Sequence, residues 1–252
     1  MENNNYELNC VLKSFGQVED SIKNLETLGL PPHPDLPKSW DTWKIINFVN
    51  KKAEKNAKIL DVGCNGSPIL YLLKKLGIRK LYGCDVDLKI RKRRLLRKIK
   101  NKIYNENPDQ LINEMLRNED NFYNLTIQNL EKTNYEASFF DFVSSLSVIE
   151  HGVNVSNYLP EMNRILKPGG FLLTSTDYWP EKIETSSNVY DRPNQDVIFD
   201  ENGIKEILAL ASKNGFSLFG QMSFDFQDKV VKWKKTDKEY TFIFFCFKKD
   251  TN

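Results

Sequence analysis

The chain has 252 residues, 40% of them hydrophobic, so it is long enough to bury a large core and fits one α/β domain with additions. Its 36 basic and 34 acidic residues leave a formal net charge of +2, which by itself indicates no polyanionic partner. No apolar run is long enough to span a bilayer, and we expect no leader in the polar stretch after the first methionine.

The cysteines are scattered along the chain without the spacing of a metal site. They are Cys10, Cys64, Cys84 and Cys246. We expect small buried side chains in a reducing cytoplasm, and we expect no bound metal.

The first part of the chain is predicted to be an N-terminal extension, residues 1–38, ahead of one domain that spans 39–252. The domain opens with a helix predicted from Ser39 to Lys52, which carries Trp40 and Trp43 on a broad apolar side. These two rings either close a pocket or pack on the edge of a sheet.

A glycine-containing turn follows the next apolar run. The run Ala57–Val62 is typical of a buried parallel strand. Gly63, Asn65 and Gly66 come next, and these residue types tolerate positive φ or a close approach of the backbone. The serine and proline after them suit the N-cap and first position of a helix. The pattern predicts free backbone N–H groups at the carboxyl end of a strand, where open α/β sheets bind ligands.

A second apolar strand, Arg79–Asp85, ends on a carboxylate. An acidic residue about 20 positions past such a loop accepts hydrogen bonds from the ribose hydroxyls of an adenosine cofactor. Asp85 fits this role, and Asp87 is the competing carboxylate.

Residues 88–120 are predicted to form an enlarged helical crossover, with basic residues dense over 89–102. These residues form either the solvated face of a helix that covers the sheet or a patch for RNA, a phosphorylated substrate or a membrane. We favour the solvated face, because the overall charge is balanced and no aromatic residues interleave with the basic ones. Nucleic acid is therefore not an expected partner.

The next elements are a strand within Phe139–His151 that emerges into a loop, a helix ending at Lys167, a Pro-Gly-Gly break and a strand to Thr176. Residues 177–202 are predicted to form a loop on the substrate side. The remaining predicted elements are a helix over 202–214 and an antiparallel hairpin of strands near 218–226 and 240–247.

Five segments, in this order, resemble the motifs of the class I S-adenosylmethionine-dependent methyltransferases, in particular the small-molecule group called type 11. The segments are Asp61–Ser67, Gly83–Asp85, Phe140–Val143, Val148–His151 and Arg164–Gly170. The resemblance implies an α/β fold, with a Rossmann-like, doubly wound, mixed sheet of seven strands and an antiparallel C-terminal hairpin. It also implies S-adenosylmethionine as cofactor and S-adenosylhomocysteine as product.

The same resemblance implies the residues that contact the cofactor. Asp61 and Gly63 match the motif that wraps its methionine part, and Asn129 stands where the family usually has an Asp that accepts from the adenine amino group. Asn65 and Ser67 stand at two usual glycine positions. The full predicted set is Asp61, Gly63, Cys64, Asn65, Gly66, Asp85, Val86, Asn129, Leu130 and Leu146.

Transfer of a methyl group to a hydroxyl depends mainly on alignment, and a base adds roughly 10²–10⁴-fold. His151 is the leading candidate base, because its loop follows the fourth strand and only His33 competes by residue type. Asp177 is the second candidate, and Glu150 is expected to be structural. The alternative for His151 is that its ring only packs or binds a backbone group.

The predicted substrate contacts are Tyr178, Trp179, Tyr190 and Arg192. Aromatic faces suit sugar C–H groups and a cation suits a phosphate or carboxylate, although loop packing is the alternative for each residue. The predicted function is O-methylation of a small polar metabolite, such as a sugar or related compound. Two alternatives stay open: an RNA methyltransferase that uses residues 89–102, and a non-catalytic partner subunit that binds the cofactor.

Overall fold

A mixed sheet of ten strands forms the centre of the computed structural model, which describes residues 7–86, 123–185, 196–233 and 237–251. The strands are β1 (Asn9–Val11), β2 (Lys58–Val62), β3 (Lys80–Asp85), β4 (Tyr123–Ile127), β5 (Phe140–Leu146), β6 (Leu166–Tyr178), β7 (Phe216–Leu218), β8 (Met222–Ser223), β9 (Val231–Trp233) and β10 (Lys238–Lys249). The helices are α1 (Phe15–Thr27), α2 (Ser39–Lys52), α3 (Ile69–Lys75), α4 (Val155–Ile165) and α5 (Glu201–Lys213).

The strands are arranged in the order β4-β3-β2-β5-β6-β10-β1-β8, with β7 and β9 also paired to β10. β2 is parallel to both β3 and β5, and Val62 lies level with Cys84 on one side and with Ser145 on the other. The carboxyl ends of the central parallel strands therefore meet at one edge, where doubly wound folds bind their ligands. β10 runs antiparallel to β6, so the sheet is mixed.

The Rossmann-like fold class predicted from the resemblance is confirmed, and the sheet is larger than seven strands. Strands β2 to β7 and β10 form the expected sheet, the short strands β1 and β9 pair with β10, and β8 pairs with β1. β1 brings residues of the predicted N-terminal extension into this sheet, antiparallel to β10. Asn9 holds β1 in place, because its side chain accepts from Cys246 N–H at 2.8 Å and donates to the Phe219 carbonyl at 2.9 Å.

Apolar residues on both faces of the sheet explain where the helices pack. Ile59, Leu60 and Val62 of β2 are fully buried, as expected for a strand covered on both sides. Helix α2 has the predicted bounds, and Trp40 lies in the core rather than at the surface. No helix in the described ranges is long and apolar enough to cross a bilayer.

Two predicted boundaries were wrong. Helix α3 begins at Ile69 with Pro68 in the cap position, and Ser67 Oγ accepts from Ile69 N–H at 3.2 Å. Helix α4 ends at Ile165, and the Pro-Gly-Gly segment belongs to β6. This segment bulges where the register between β5 and β6 shifts, with φ +77° at Gly169, so the chain continues as a strand.

Candidate functional site

The glycine loop, residues 63–67, joins β2 to α3 at the carboxyl edge of the sheet. Gly63 has φ +65°, and a Cβ on it would lie 2.4 Å from Val148 Cγ2, so only glycine fits. Gly66 has φ +104°, but a Cβ there would meet no atom within 4 Å. The contact at Gly63 brings the loop that carries the predicted base directly against the glycine loop.

Asp85 ends β3 beside the glycine loop. Its Oδ2 accepts a hydrogen bond from Asn65 N–H at 3.0 Å, and Cys64 N–H donates to the Cys84 carbonyl at 3.2 Å. The carboxylate therefore holds the loop in shape. Its contact with a ribose stays a prediction.

The polar atoms inside the loop fit the methionine part of S-adenosylmethionine. Asp61 is fully buried at the end of β2 and accepts from Ser144 Oγ at 2.7 Å. Asn65 Oδ1 is buried and has no hydrogen-bond partner among the described residues. A buried acceptor of this kind suits a donor such as an ammonium group on a ligand. Leu146, another residue of the predicted cofactor set, is buried at the end of β5.

Three apolar residues follow or end the strands beside which the adenine is predicted to bind. Leu130 is buried, while Val86 and Ile127 are exposed at the carboxyl ends of β3 and β4. Asn129 Oδ1 accepts from Glu131 N–H at 2.9 Å, so a contact with adenine would use its second lone pair. This contact stays a prediction.

A group of charged side chains, the Lys38 cluster (Lys38, Asp41, Glu150 and Asp177), lies at the ends of β5 and β6. Lys38 Nζ donates to Ser147 Oγ at 2.5 Å, directly after β5. Burial works to lower the pKa of Lys38, but the three carboxylates outweigh burial and leave that pKa above its usual value. The cluster therefore contains a stable ammonium.

Asp177 and Asp41 both hold protons far more tightly than an exposed aspartate. Burial and the neighbouring Glu150 raise the pKa of Asp177 to about 7, against the opposing effects of Lys38 and the Tyr240 hydroxyl. Burial likewise raises the pKa of Asp41 to about 7, against the attraction of Lys38. Both carboxyls are therefore poised to gain or lose a proton near neutral pH.

His151 is paired with a carboxylate that sequence analysis did not single out. Its Nδ1 lies 2.8 Å from Asp196 Oδ1, and the two residues also form a short antiparallel bridge. Burial works to lower the pKa of His151, but Glu150, Asp196 and Asp177 together raise it above its usual value. A base oriented by a second group is a recurring arrangement in proton-transfer sites.

The predicted substrate residues separate into two environments. Tyr178 is fully buried in the core and packs against Phe224. Trp179 is half-buried, with its ring 5.1 Å from the Phe226 ring and 4.8 Å from Lys229 Nζ. Trp179 is thus the described aromatic residue better placed to meet a ligand.

Several predicted features lie outside the described residues. They are Tyr190, Arg192, Asp87 and the basic segment 89–102. The RNA interpretation of that segment therefore stays an untested prediction.

Lys38, Asp41 and Asp196 were missed by sequence analysis. Lys38 and Asp41 flank the start of α2 after a proline-rich stretch, and no motif marks them. Asp196 follows the predicted substrate loop without a recognisable pattern. Only their contacts in the fold identify them.

Comparisons with known proteins agree with this geometry. A family model described as a methyltransferase domain matches residues 36–219. The mitochondrial ubiquinone biosynthesis O-methyltransferase of Dictyostelium discoideum is 31% identical over 140 residues, which cover 52% of this chain and 41% of that protein. The chain thus matches less than half the length of this relative.

Two solved structures show the same fold at low identity. The (4+2)-cyclase SpnF superposes with a TM-score of 0.58 at 13% identity, over 94% of this chain and 96% of that one. A SAM-dependent methyltransferase from Methanosarcina mazei superposes with a TM-score of 0.53 at 13% identity, over 81% of this chain and 98% of that one. At these identities the likeness concerns the fold alone.

Proposed function

Because the chain belongs to the class I S-adenosylmethionine-dependent methyltransferases of the type 11 group, we propose that it transfers the methyl group of this cofactor to a hydroxyl of a small polar metabolite, such as a sugar or related compound. The partial relative from Dictyostelium discoideum, named an O-methyltransferase, supports a hydroxyl acceptor.

The observation that carries the proposal is the pairing of His151 with Asp196, in the loop that also packs on Gly63. S-adenosylmethionine supplies a methyl group that is already electrophilic, so the protein mainly aligns the acceptor. A hydroxyl acceptor must also lose its proton. We assign that proton to His151 Nε2, because Nδ1 bonds Asp196, and we keep Asp177 as the second candidate.

We propose that the chain holds its cofactor with the glycine loop and the strand ends around it. Asp61 and Asn65 would bind the methionine part, Asp85 the ribose, and Leu130 would pack on the adenine. Val86, Asn129 and Leu146 complete the proposed set with Gly63, Cys64 and Gly66.

We propose that the protein acts in the cytoplasm, since the four cysteines are buried and none of them forms a disulfide, as is usual in a reducing compartment. Burial raises the pKa of Cys84 and Cys246, which keeps both thiols protonated.

Calorimetric titration with S-adenosylhomocysteine tests the cofactor site. We expect the parent to bind at micromolar strength and Asp85→Ala to bind about 10–100-fold more weakly, because a charge-assisted contact and the Asn65 hydrogen bond are both lost. Asp85→Asn is the matched control: it keeps an acceptor for Asn65 N–H and should lose less affinity. Equal affinity in all three proteins would contradict the assignment of Asp85.

Methyl-labelled S-adenosylmethionine tests the acceptor class. We expect label transfer to at least one of three hydroxyl probes: myo-inositol, methyl α-D-glucopyranoside and catechol. Binding of S-adenosylhomocysteine without label transfer to any probe would contradict O-methylation of this class and favour the partner-subunit alternative.

A further inference from the structure

Lys38 brings a cation from the N-terminal part of the chain to the ends of two central strands. It ends the 3-10 turn before α2, and its Nζ donates to Ser147 Oγ at 2.5 Å. The same Nζ lies 4.8 Å from the centroid of the Phe242 ring. Phe242 pairs with Asp177 across β10 and β6, so the ammonium lies beside the end of β6 as well as that of β5.

The carboxylates around Lys38 are not equivalent. Both oxygens of Asp41 are occupied by the protein, since Oδ1 accepts from Thr42 N–H at 2.9 Å and Oδ2 from Ser175 Oγ at 2.8 Å. Asp41 is fully buried, and each of its oxygens already has a donor from the chain. Its place in the cluster is structural.

Glu150 differs from Asp41 because only one of its two carboxylate oxygens accepts a hydrogen bond from the described residues. Its Oε2 accepts from Thr176 Oγ1 at 3.0 Å. Its Oε1 is buried and has no hydrogen-bond partner among the described residues, in a side chain that is only 1% exposed. Leaving such an oxygen without a donor costs free energy, so Glu150 Oε1 is able to accept from a group that is not part of the chain.

The charges around this oxygen select the kind of group that can enter. An anion would face Glu150 and Asp177, and a second cation would face the Lys38 ammonium. A neutral hydroxyl avoids both repulsions and supplies the donor that Glu150 Oε1 lacks. Trp179, two residues after Asp177, offers an aromatic face at the same strand end.

We propose that Glu150 and Asp177, with the Lys38 ammonium nearby, form a subsite that binds the hydroxyl groups of a neutral polyhydroxy acceptor, with Glu150 Oε1 accepting from one of them. The acceptor would be a sugar, a cyclitol or a catechol. The inference rests on the proposed methyl transfer and specifies which residues select the acceptor. Glu150, expected from the sequence to be structural, thereby becomes a binding residue, and Lys38 a positioning residue.

Steady-state kinetics of label transfer test this subsite, with whichever of myo-inositol, methyl α-D-glucopyranoside and catechol the parent methylates fastest. Glu150→Gln should raise the KM for that probe about tenfold or more, because a charge-assisted hydrogen bond is lost, while kcat and S-adenosylhomocysteine affinity change little. Lys38→Met should raise the same KM and move the pH dependence of that KM to higher pH, since the cation no longer lowers the pKa of Asp177.

Two control variants separate binding from structure. Asp41→Asn removes an equally buried carboxylate beside Lys38 and should raise the acceptor KM clearly less than Glu150→Gln, because both Asp41 oxygens already accept from Thr42 and Ser175. Lys38→Arg keeps the cation and should have an acceptor KM close to that of the parent. This variant still tests the role of the charge if Lys38→Met folds poorly.

The outcomes distinguish the two proposals. An unchanged acceptor KM in Glu150→Gln, or an equal rise in Asp41→Asn, would overturn the subsite while methyl transfer by the parent stands. Loss of S-adenosylhomocysteine affinity in Glu150→Gln equal to its loss of acceptor use would also overturn it, because the effect would then be structural. A parent that binds S-adenosylhomocysteine but labels none of the probes would overturn the proposed function and the subsite together.

Discussion

The glycine loop and the Lys38 cluster lie at the same edge of the sheet but depend on different physical properties. The loop is built from backbone groups, two positive φ values and one close contact, between Gly63 and Val148. The cluster is built from buried charges, and each of its pKa shifts depends on the others. A substitution in the loop should therefore act through shape, and one in the cluster through charge and pH.

The largest expected effect comes from His151, whose pKa is raised by Glu150 and Asp177 of the Lys38 cluster. His151→Asn should lower kcat for the acceptor by roughly 10²–10⁴-fold, because it removes the proposed base, while S-adenosylhomocysteine affinity stays near that of the parent. Label-transfer kinetics and calorimetry measure the two quantities. An unchanged kcat would reduce His151 to a packing residue.

Asp196→Asn is the control for this prediction. The Asp196 carboxylate helps to raise the pKa of His151, so its removal should move the acid limb of the kcat profile to lower pH. A residue that only held the loop in place would lower the rate without moving that limb.

The second effect belongs to the glycine loop and should be independent of pH. Gly63→Ala should lower the free energy of unfolding by about 2–4 kcal/mol, because it combines a left-handed backbone with a Cβ 2.4 Å from Val148. Gly66→Ala, which meets no atom, should cost only about 1–2 kcal/mol. Urea denaturation measures both, and equal losses would show that the Val148 contact is easily relieved.

The conformation of the glycine loop could be predicted from the sequence, because the residues that shape it are close together in the chain or are marked by glycine. Asp85 and Asn65 are 20 residues apart, within one strand-helix-strand unit, and glycine marks the positive φ positions. The bounds of α2 followed from the same kind of local pattern, whereas the fold class followed from the resemblance to the methyltransferase motifs. The bulge at Gly169 was missed because a Pro-Gly-Gly segment is typical of a helix break as well.

The cluster side could not be predicted in the same way because its partners are far apart in the chain. Lys38 and Ser147 are separated by 109 residues, and Asp41 and Ser175 by 134. Isolated lysines and aspartates are ordinary surface residues in sequence, and only the packing of α2 on the sheet buries Asp41. His151 was singled out because its loop follows the fourth strand, and its role as a base stays a prediction, whereas its partner Asp196 lies in no motif.

A third prediction uses pH to separate the two regions. Asp41 and Asp177 have pKa values raised from about 4 to about 7 on folding, so the folded state binds more protons than the unfolded state between these values. The free energy of unfolding should therefore fall as pH rises through this range, by at most about 1.4 kcal/mol per pH unit for each carboxyl. Urea denaturation at several pH values measures the slope.

Two variants show which region carries this slope. Asp177→Asn should flatten it, because one titrating group is gone, whereas Gly66→Ala should shift the whole curve without changing its slope. The interpretation fails if the slope survives in Asp177→Asn and Asp41→Asn alike.

The smallest expected effect concerns Trp179, which directly follows β6, two residues after Asp177. Its ring packs against Phe226 and lies under Lys229 Nζ, so part of its surface already serves the protein. Trp179→Ala should raise the acceptor KM by about 3–10-fold, the usual value of an aromatic contact, and leave S-adenosylhomocysteine affinity intact. Trp179→Phe keeps a ring and should recover part of the loss. Equal weakening of acceptor and cofactor binding would instead mean that Trp179 supports the fold of the whole carboxyl edge of the sheet. A substitution there would then affect the glycine loop and the Lys38 cluster together.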